Sequence, residues 1–532
     1  MLSNFREAEG IVTNEKKLKK LPLGLSDFKK MVENDYLYVD KTKFIYPLVV
    51  DGGYYFLARP RRFGKSLLIS TLEALFAGDK KLFKDLWIDQ SDYTWKTHPV
   101  IKIDFSGADY SSVDRLEKSI LKSLYITAKR YDVLVEKTES PKDLFGELID
   151  KLALQNTVVL LIDEYDKPII DQIHDVKKAE EFRALLQNFY SMIKAKDAAL
   201  HFVLLTGVSK FARTSIFSGI NNLNDLSLDF PYATLLGYTH EELKNYFVAY
   251  IEHLAKIWHK ESQEVMQQLT SHYDGYQFAE NAAPVFNPFS ILLCFEKGKL
   301  RNYWFESGTP AFLIKLIATG RYTLNQVYQP IMTVEELGAF EPENIRITAL
   351  LYQSGYLTIK SYNELKREYA LDFPNQEVTR SFNALMASSV TQLSYPQATT
   401  YAVRIAQTFC KQNFDELQRV LQNLFNEMPY TVHIKREFDL QLIIFSVFKL
   451  IGIEVDPEVT TSLGRADLVV SFPKIVYVIE LKFNKTAQEA LEQIQDKHYY
   501  EKFTNTGKQI TLIGINFDGL TKVVTLQSQA ID

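Results

Sequence analysis

Residues 54–76 read YYFLARPRRFGKSLLISTLEALF, and this stretch decides the fold of the first half of the chain. The opening YYFLA is an aromatic, apolar run suited to a buried strand, and the closing LLISTLEALF has apolar residues at helical spacing. Between them lies Arg59-Pro60-Arg61-Arg62-Phe63-Gly64-Lys65-Ser66. A strand that runs through a short loop into a helix is the setting a phosphate-binding loop needs, because the free N–H groups and the dipole of the helix start face the loop. In that reading Gly64 lets the backbone approach phosphate, Lys65 reaches the β and γ oxygens, and Ser66 offers its hydroxyl to Mg2+. Arg62 and Phe63 complete the nucleotide-binding loop. The first glycine usual in GxxxxGK[ST] is Arg59 here, so the loop is expected to cradle phosphate less completely or to follow another backbone path. GKS alone also fits an ordinary helix N-terminus with a lysine in its first turn.

The motif that decides between these is VVLLIDE, residues 158–164. It is too apolar for a half-exposed strand and ends in two carboxylates, the pattern of a Walker B strand. Asp163 would hold Mg2+ through its water shell and Glu164 would polarise an attacking water as general base. Alone, the string also fits a buried strand followed by a solvated acidic turn. A further strand, PVIKIDF, precedes it, and LHFVLLTGV follows it, giving the order of ATPases with an additional sheet strand and a catalytic Glu. The tip of that last strand makes Thr206 a candidate sensor of the γ-phosphate. Lys210 and Arg213, just beyond, are candidate phosphate contacts from the same or a neighbouring chain, or else surface charges.

Outward from these motifs, β-rich runs alternate with amphipathic helices over the first 230 or so residues, which predicts a parallel sheet covered by helices. Val113, Leu116, Ile120, Leu124 and Thr127 recur at helical spacing and predict one such covering face. The pattern then turns mostly helical, with aromatic-rich turns, and changes again near Met428 to α-β-β-β-α-β. The domains are therefore expected at 1–237, an ATPase core; 238–425, a helical lid or middle region; and 426–532, a small α/β domain.

In the last domain GRADLVVSF and VYVIELKF present Asp467, then Glu480 and Lys482 thirteen and fifteen residues later. Strand residues two apart share a face, so Glu480 and Lys482 point together, beside the strand that carries Asp467. Two carboxylates are hard ligands for Mg2+ or Mn2+, and such a metal lowers the pKa of bound water enough to hydrolyse a phosphodiester. Lys482 would position that water or stabilise the developing charge. Glu437, at the start of the domain's first helix, and Glu458 could extend the metal site. A helix from Ala487 to Phe503 is expected to bury Ala487, Ala490, Leu491 and Ile494 and to offer Gln493, ahead of Tyr499, as a polar contact.

Composition sets bounds rather than a function. With 46% apolar and 24% charged residues, 17 prolines, 35 Phe and 30 Tyr in 532 residues, the chain is expected to fold throughout into two or three cores. A formal net charge of −5 leaves any nucleic-acid contact to a local basic surface. Cys294 and Cys410 make neither a disulfide framework nor a cysteine-rich zinc site, which fits a reducing cytoplasm. His272, His433 and His498 stand in no zinc spacing and read as core or surface residues. Residues 1–20 lack the apolar core of a signal peptide, and Leu440 to Ile453 is too short and too polar to span a bilayer, so no membrane contact is expected.

Taken together, LPLGLSDFKKMVENDYLYVDKT, RPRRFGKSLL, IDEYDKP, TGVSKFARTSIFSGINNLNDLS, YDGYQF, FNPFS and YWFESGTPAFLIKL resemble the AAA-ATPase-like prokaryotic proteins that carry a C-terminal PD-(D/E)XK nuclease-superfamily domain. The resemblance covers most of the chain. It implies that Arg59 is a family trait, that Asp467, Glu480 and Lys482 form the catalytic set with Gln493 in support, and that Glu437 is the first-helix acid. Asp40, Lys41 and Thr42 match a family motif to which no chemistry is assigned, and a structural turn is an equal reading. The resemblance adds little on activity; the residues of the two sites lead to the expectation of an ATP- and Mg2+-dependent ATPase coupled to metal-dependent cleavage of nucleic acid, DNA in preference to RNA, with homo-oligomer formation expected of the ATPase class. The alternative is an ATP-driven nucleic-acid- or partner-binding switch whose nuclease fold does not cleave.

Overall fold

The structure, a computed structural model, describes residues 18–172, 175–210, 217, 220, 222–306, 317, 323–338, 346–461 and 463–531. Arg213 lies outside the described residues.

The first half is built on a five-stranded sheet of β1 (Gly53–Ala58), β2 (Val100–Asp104), β3 (Val158–Asp163), β4 (Leu200–Gly207) and β5 (Leu223–Asp225), in the order β2-β3-β4-β1-β5. Every pairing is parallel. A parallel sheet is covered on both faces, which is why all six residues of β3 are buried. The helices Lys65–Phe76, Val113–Arg130, Pro141–Ala153 and Val176–Ala195 supply the cover. Ser112 and Ser140 start two of them by accepting hydrogen bonds from Arg115 N and Asp143 N. Of the expected covering face, Leu116, Ile120, Leu124 and Thr127 are buried, while Val113 packs only partly. The order matters for function: β4 lies between the loop strand β1 and the acidic strand β3. Leu57 stands beside Thr206, and Leu205 beside Ile162, so the loop, the acids and the β4 tip meet at one sheet edge.

The middle region is mostly helical, with an addition that the sequence pattern had not disclosed. β6 (Ile331–Thr333), β7 (Thr358–Asn363) and β8 (Glu368–Asp372) form an antiparallel sheet in the order β6-β8-β7. Its strands are short and half polar, so their alternation is faint. Leu21, Leu37 and Val39 from the start of the chain pack into the same cluster as Leu243, Phe247, Leu269 and Phe295.

The C-terminal part follows the expected α-β-β-β-α-β order and then adds one strand. The helix Glu437–Leu450 precedes β9 (Glu454–Thr461), β10 (Gly464–Ser471) and β11 (Ile475–Phe483). The helix Ala487–Asp496 then leads to β12 (Gln509–Phe517) and β13 (Val524–Ile531). The sheet order is β13-β12-β11-β10-β9, with only the β11–β12 pair parallel. β13 is an edge strand with mostly exposed residues, which hid it in the sequence. The helix expected to reach Phe503 stops at Asp496, because His498 takes a left-handed backbone (φ 49°) before a 3-10 turn over Glu501–Thr506. Ala487, Ala490, Leu491 and Ile494 form its buried face as the spacing required. No helix among the described residues is long and apolar enough to cross a membrane.

Candidate active sites

The phosphate loop leaves β1 at Ala58 and enters its helix at Lys65. Gly64 caps that helix at φ 100°, a conformation that costs a non-glycine residue, and a Cβ there would meet nothing within 4 Å. Among the described residues no side chain caps the helix start, which leaves its first N–H groups facing the loop. Gly64, Lys65, Ser66, Arg62 and Phe63 all line one cavity of about 750 Å3, a size suited to a nucleotide. Glu164, Lys167 and Ser209 face it from the sheet side, and Pro22, Leu25, Val39, Leu236 and Phe289 give its far end an apolar wall.

Arg59 resolves the missing glycine. Its side chain turns away from the cavity and is 1% exposed. The guanidinium donates to the carbonyls of Ala58 (2.9 Å), Ser227 (2.7 Å) and Tyr232 (3.2 Å), and stacks on the Phe278 ring at 4.2 Å. Burial pulls its pKa down to about 10. The ring of Phe63, also buried, meets Tyr276 and Phe278 edge-on. The loop is thus pinned from beneath to the YDGYQF motif, while its upper surface stays open.

Lys65 is 6% exposed and donates to the carbonyls of Arg59 (2.8 Å) and Pro60 (3.0 Å). Burial lowers its pKa, against the pull of Asp163, Asp166 and Glu164. Its ammonium therefore rests on its own loop, within a field of three carboxylates.

Asp163 and Thr206 form one unit. The Thr206 hydroxyl is fully buried and donates to Asp163 Oδ1 at 2.6 Å, and Glu164 N donates to the same oxygen at 3.0 Å. Thr206 does not line the cavity and its hydroxyl is held by Asp163; just beyond β4, Val208 and Ser209 do line it. Glu164 takes a left-handed backbone (φ 52°), and burial raises its pKa against the opposing charges of Lys167 and Lys65. That suits a carboxylate meant to take a proton.

Sequence reasoning passed over two groups here. Asp166 is 2% exposed, accepts N–H bonds from Ser209 (2.6 Å) and Val208 (3.1 Å), and so sets the chain beyond β4; burial raises its pKa. Its position three residues after Asp163, next to the KP step, was the available signal. Ser209 Oγ is buried beside the loop and has no hydrogen-bond partner among the described residues. Lys210 turns away to pair with Asp225. The Asp40-Lys41-Thr42 motif is a structural tie: Asp40 accepts from Thr42 N and Trp87 N, and Lys41 donates to Thr234 O and pairs with Glu242 at 2.6 Å.

The second cluster sits on β10 and β11. Glu480 (2% exposed) and Lys482 (5%) share a face of β11, with Lys482 Nζ 3.0 Å from Glu480 Oε1. Asp467 Oδ2 accepts the Leu481 N–H at 2.8 Å, which ties β10 to β11 at this point. Gln493, from the helix Ala487–Asp496, donates to Glu480 Oε1 and lies 3.3 Å from the Tyr499 hydroxyl. Both polar candidates on that segment therefore meet. Gly464 makes this fit, since a Cβ would come within 2.8 Å of the Tyr499 hydroxyl. Glu437 approaches from its helix, 3.8 Å from Lys482 and 3.8 Å from Lys485, and remains half-exposed.

Burial pushes Glu480 up to about 8 and Asp467 up to about 6; the Asp467 charge adds to the rise of Glu480, and the Glu437 charge to that of Asp467. Burial pulls the Lys482 ammonium down, but the carboxylates of Glu480, Glu437 and Asp467 together more than offset that and leave it raised. Glu480 Oε2 is buried and has no hydrogen-bond partner among the described residues. A desolvated carboxylate oxygen of this kind beside a second carboxylate fits a hard divalent cation, which would discharge both. Glu458 turns elsewhere, to Arg465 at 3.2 Å. His498 pairs with Glu501 at 3.5 Å on the surface, His272 is buried, and His433 is exposed; none joins either cluster.

A family model described as "Predicted AAA-ATPase" matches residues 22–217, and one for the PD-(D/E)XK nuclease superfamily matches residues 435–526. The chain is 37% identical over 516 residues, 94% of its own length and 96% of the other's, to an "Uncharacterized protein in vnfD 5'region" of Azotobacter chroococcum mcd 1. Both site clusters fall inside the matched segments, and the relative spans both. The chain belongs to the family of AAA-ATPase-like proteins that carry a C-terminal PD-(D/E)XK nuclease-superfamily domain.

Proposed function

We propose that the chain binds and hydrolyses ATP with Mg2+ at the Gly64-Lys65-Ser66 loop, and that this controls metal-dependent cleavage of nucleic acid, DNA in preference to RNA, at the Asp467-Glu480-Lys482 cluster. The observation that carries the nuclease half is the buried Glu480 Oε2 beside Asp467, without a hydrogen-bond partner among the described residues, an arrangement that costs stability unless a cation completes it. On the ATPase half, the open Gly64 backbone and the buried Lys65 support phosphate binding. Lys65 would exchange its loop carbonyls for phosphate oxygens, and Ser66 and Asp163 would hold Mg2+, with Thr206 fixing the Asp163 rotamer. Glu164 would accept the proton of the attacking water. The apolar wall of Leu25, Val39, Leu236 and Phe289 would take the base.

In the C-terminal site Asp467 and Glu480 would hold Mg2+ or Mn2+, with Glu437 able to approach on its exposed side. A bound divalent ion supplies Lewis acidity toward phosphate and an activated water. Lys482, anchored on Glu480, would orient that water and stabilise charge on the phosphate, and Gln493 holds Glu480 in place. A second reading, a binding switch without cleavage, has one observation in its favour: among the described residues no three Asp, Glu, His or Cys side chains already converge as a metal cage.

Titration calorimetry separates the halves. Wild-type protein is expected to bind Mg-ATP, and Lys65→Ala to lose it. In the absence of nucleotide, wild type is expected to bind Mn2+, and Asp467→Asn to lose that binding while keeping Mg-ATP. Equal Mn2+ binding by wild type and Asp467→Asn would rule out the assigned metal site.

A further inference from the structure

The helix Ile347–Ser354 touches the phosphate loop with one end and reaches toward the nuclease strands with the other. At its C-terminal end Gly355 (φ 90°) packs on the loop so closely that a Cβ would lie 2.6 Å from Pro60 Cβ. Beside it, Trp304 Nε1 donates to Arg61 O at 3.1 Å, and Gln353 Oε1 accepts the Lys210 N–H at 3.0 Å, one residue beyond Ser209. These three contacts grip the loop and the β4 exit together.

At the other end Thr348 Oγ1 donates to Gln326 O at 2.6 Å. The adjacent Asn325 donates its backbone N–H to Glu458 Oε2 (3.5 Å) and its side-chain amide to Glu458 O (3.4 Å). A single eight-residue helix, about 12 Å long, therefore joins the two sites through side-chain and backbone hydrogen bonds.

Glu458 is an unusual residue on which to end such a path. It is 4% exposed, pairs with Arg465 at 3.2 Å, and sits at φ 52° in the middle of β9, a conformation that persists only where neighbours impose it. The β9–β10 register, Ala466 beside Val459 and Leu468 beside Pro457, sets Glu458 across from Asp467. Arg465, its ion-pair partner, is two residues from Asp467 on the same strand and so shares its face. The joint also has room to move. A cavity of about 690 Å3 opens there, lined by Asn325, Glu458, Asn383, Lys449 and Lys502.

We propose that the helix Ile347–Ser354 and the turn at Asn325 carry the nucleotide state of the phosphate loop to the nuclease site, with Glu458 as the positioning residue that transmits it to Asp467. This rests on the ATP-binding reading given above. When Lys65 leaves the carbonyls of Arg59 and Pro60 for a ligand, the segment gripped by Gly355 and Trp304 must adjust. A rigid helix passes that shift to Asn325, whose long, weak bonds to Glu458 are easily remade. Glu458 and Arg465 then reset the β9–β10 pair that carries Asp467.

Hydrogen–deuterium exchange of the full chain, with and without a non-hydrolysable ATP analogue and Mg2+, tests this. In wild type the analogue is expected to slow exchange at the loop (59–68) and to change it in β9–β10 (454–471). In Asn325→Ala, which removes the amide bond to Glu458 O and keeps the backbone bond, and separately in Thr348→Val, the loop effect is expected to remain and the β9–β10 effect to shrink at least twofold. Two different joints are weakened, so the unfolding of one variant does not decide the result, and ATP turnover reports that each variant is folded. Loop protection with no change at 454–471 in wild type overturns the route, as does an undiminished change in both variants. Absence of loop protection in wild type instead sinks the ATP-site reading, and the route falls with it.

Discussion

Arg59 occupies the place of a glycine in a phosphate loop without filling the phosphate site, because its guanidinium is spent on three backbone carbonyls and the Phe278 face below the loop. The catalytic candidates were legible in the sequence through context: Asp163 and Glu164 after VVLLI, or Glu480 and Lys482 within VYVIELKF, also fit solvated charges when each string is taken alone, and the phosphate loop before the one and the strand order around the other set them apart. Asp166 and Ser209 were not legible, since their roles depend on where β4 ends relative to β3. Two expectations belong at this scale. Glu164→Gln should bind ATP like wild type and hydrolyse it about a hundredfold or more slowly, measured as phosphate release, because the bonds to ligand remain while the proton acceptor is gone. The metal site should be pH-dependent: Glu480, raised to about 8, holds a proton at neutrality, and Asp467, raised to about 6, holds one in mildly acidic solution, and a cation must displace both. Mn2+ affinity should therefore climb as pH rises from about 6 to about 8 and level off above. In metal-free protein the sign reverses for stability: folded carboxyls with raised pKa favour the protonated state, so stability falls as pH climbs through the same range. Melting curves with and without Mn2+ across that window check both statements.

Elements hold these residues in place, and here close packing decides more than sequence pattern does. Gly514 of β12 lies under the helix Ala487–Asp496, where a Cβ would come 2.2 Å from Ala487 O and 2.8 Å from Leu491 N. Gly514→Ala should push that helix off the sheet, cost about 1–3 kcal/mol of stability, and loosen Gln493 from Glu480. Mn2+ binding should then weaken while ATP binding stays unchanged, as titration of both ligands on the one variant will report. The long apolar strands β1, β3, β4, β11 and β12 were readable because burial on both faces leaves a continuous apolar run. The short β6–β8 sheet and the edge strand β13 escaped, since polar, half-exposed strands resemble loops. The end of the helix at Asp496 depends on a left-handed His498 that no propensity announces.

From the first sheet to the last, one apolar core runs through Phe56 of β1, Leu351 near the phosphate loop, Phe445 of the nuclease region and Ile515 of β12, with smaller clusters beside it. Such a core transmits displacement better than a flexible linker would, which favours two coupled activities over two independent ones. With a net charge of −5 the chain's overall field does not attract nucleic acid, so binding should rest on few phosphate contacts and show a shallow salt dependence in filter-binding titrations. The most direct test of an ATP-controlled nuclease is cleavage of circular DNA, linear DNA and RNA with Mg2+ or Mn2+, with and without ATP, by wild type, Lys65→Ala and Lys482→Ala. The account predicts metal-dependent cleavage of DNA by wild type, its loss in Lys482→Ala, and a changed response to ATP in Lys65→Ala. ATP hydrolysis with no metal-dependent cleavage of any substrate would contradict it and leave the binding switch as the function.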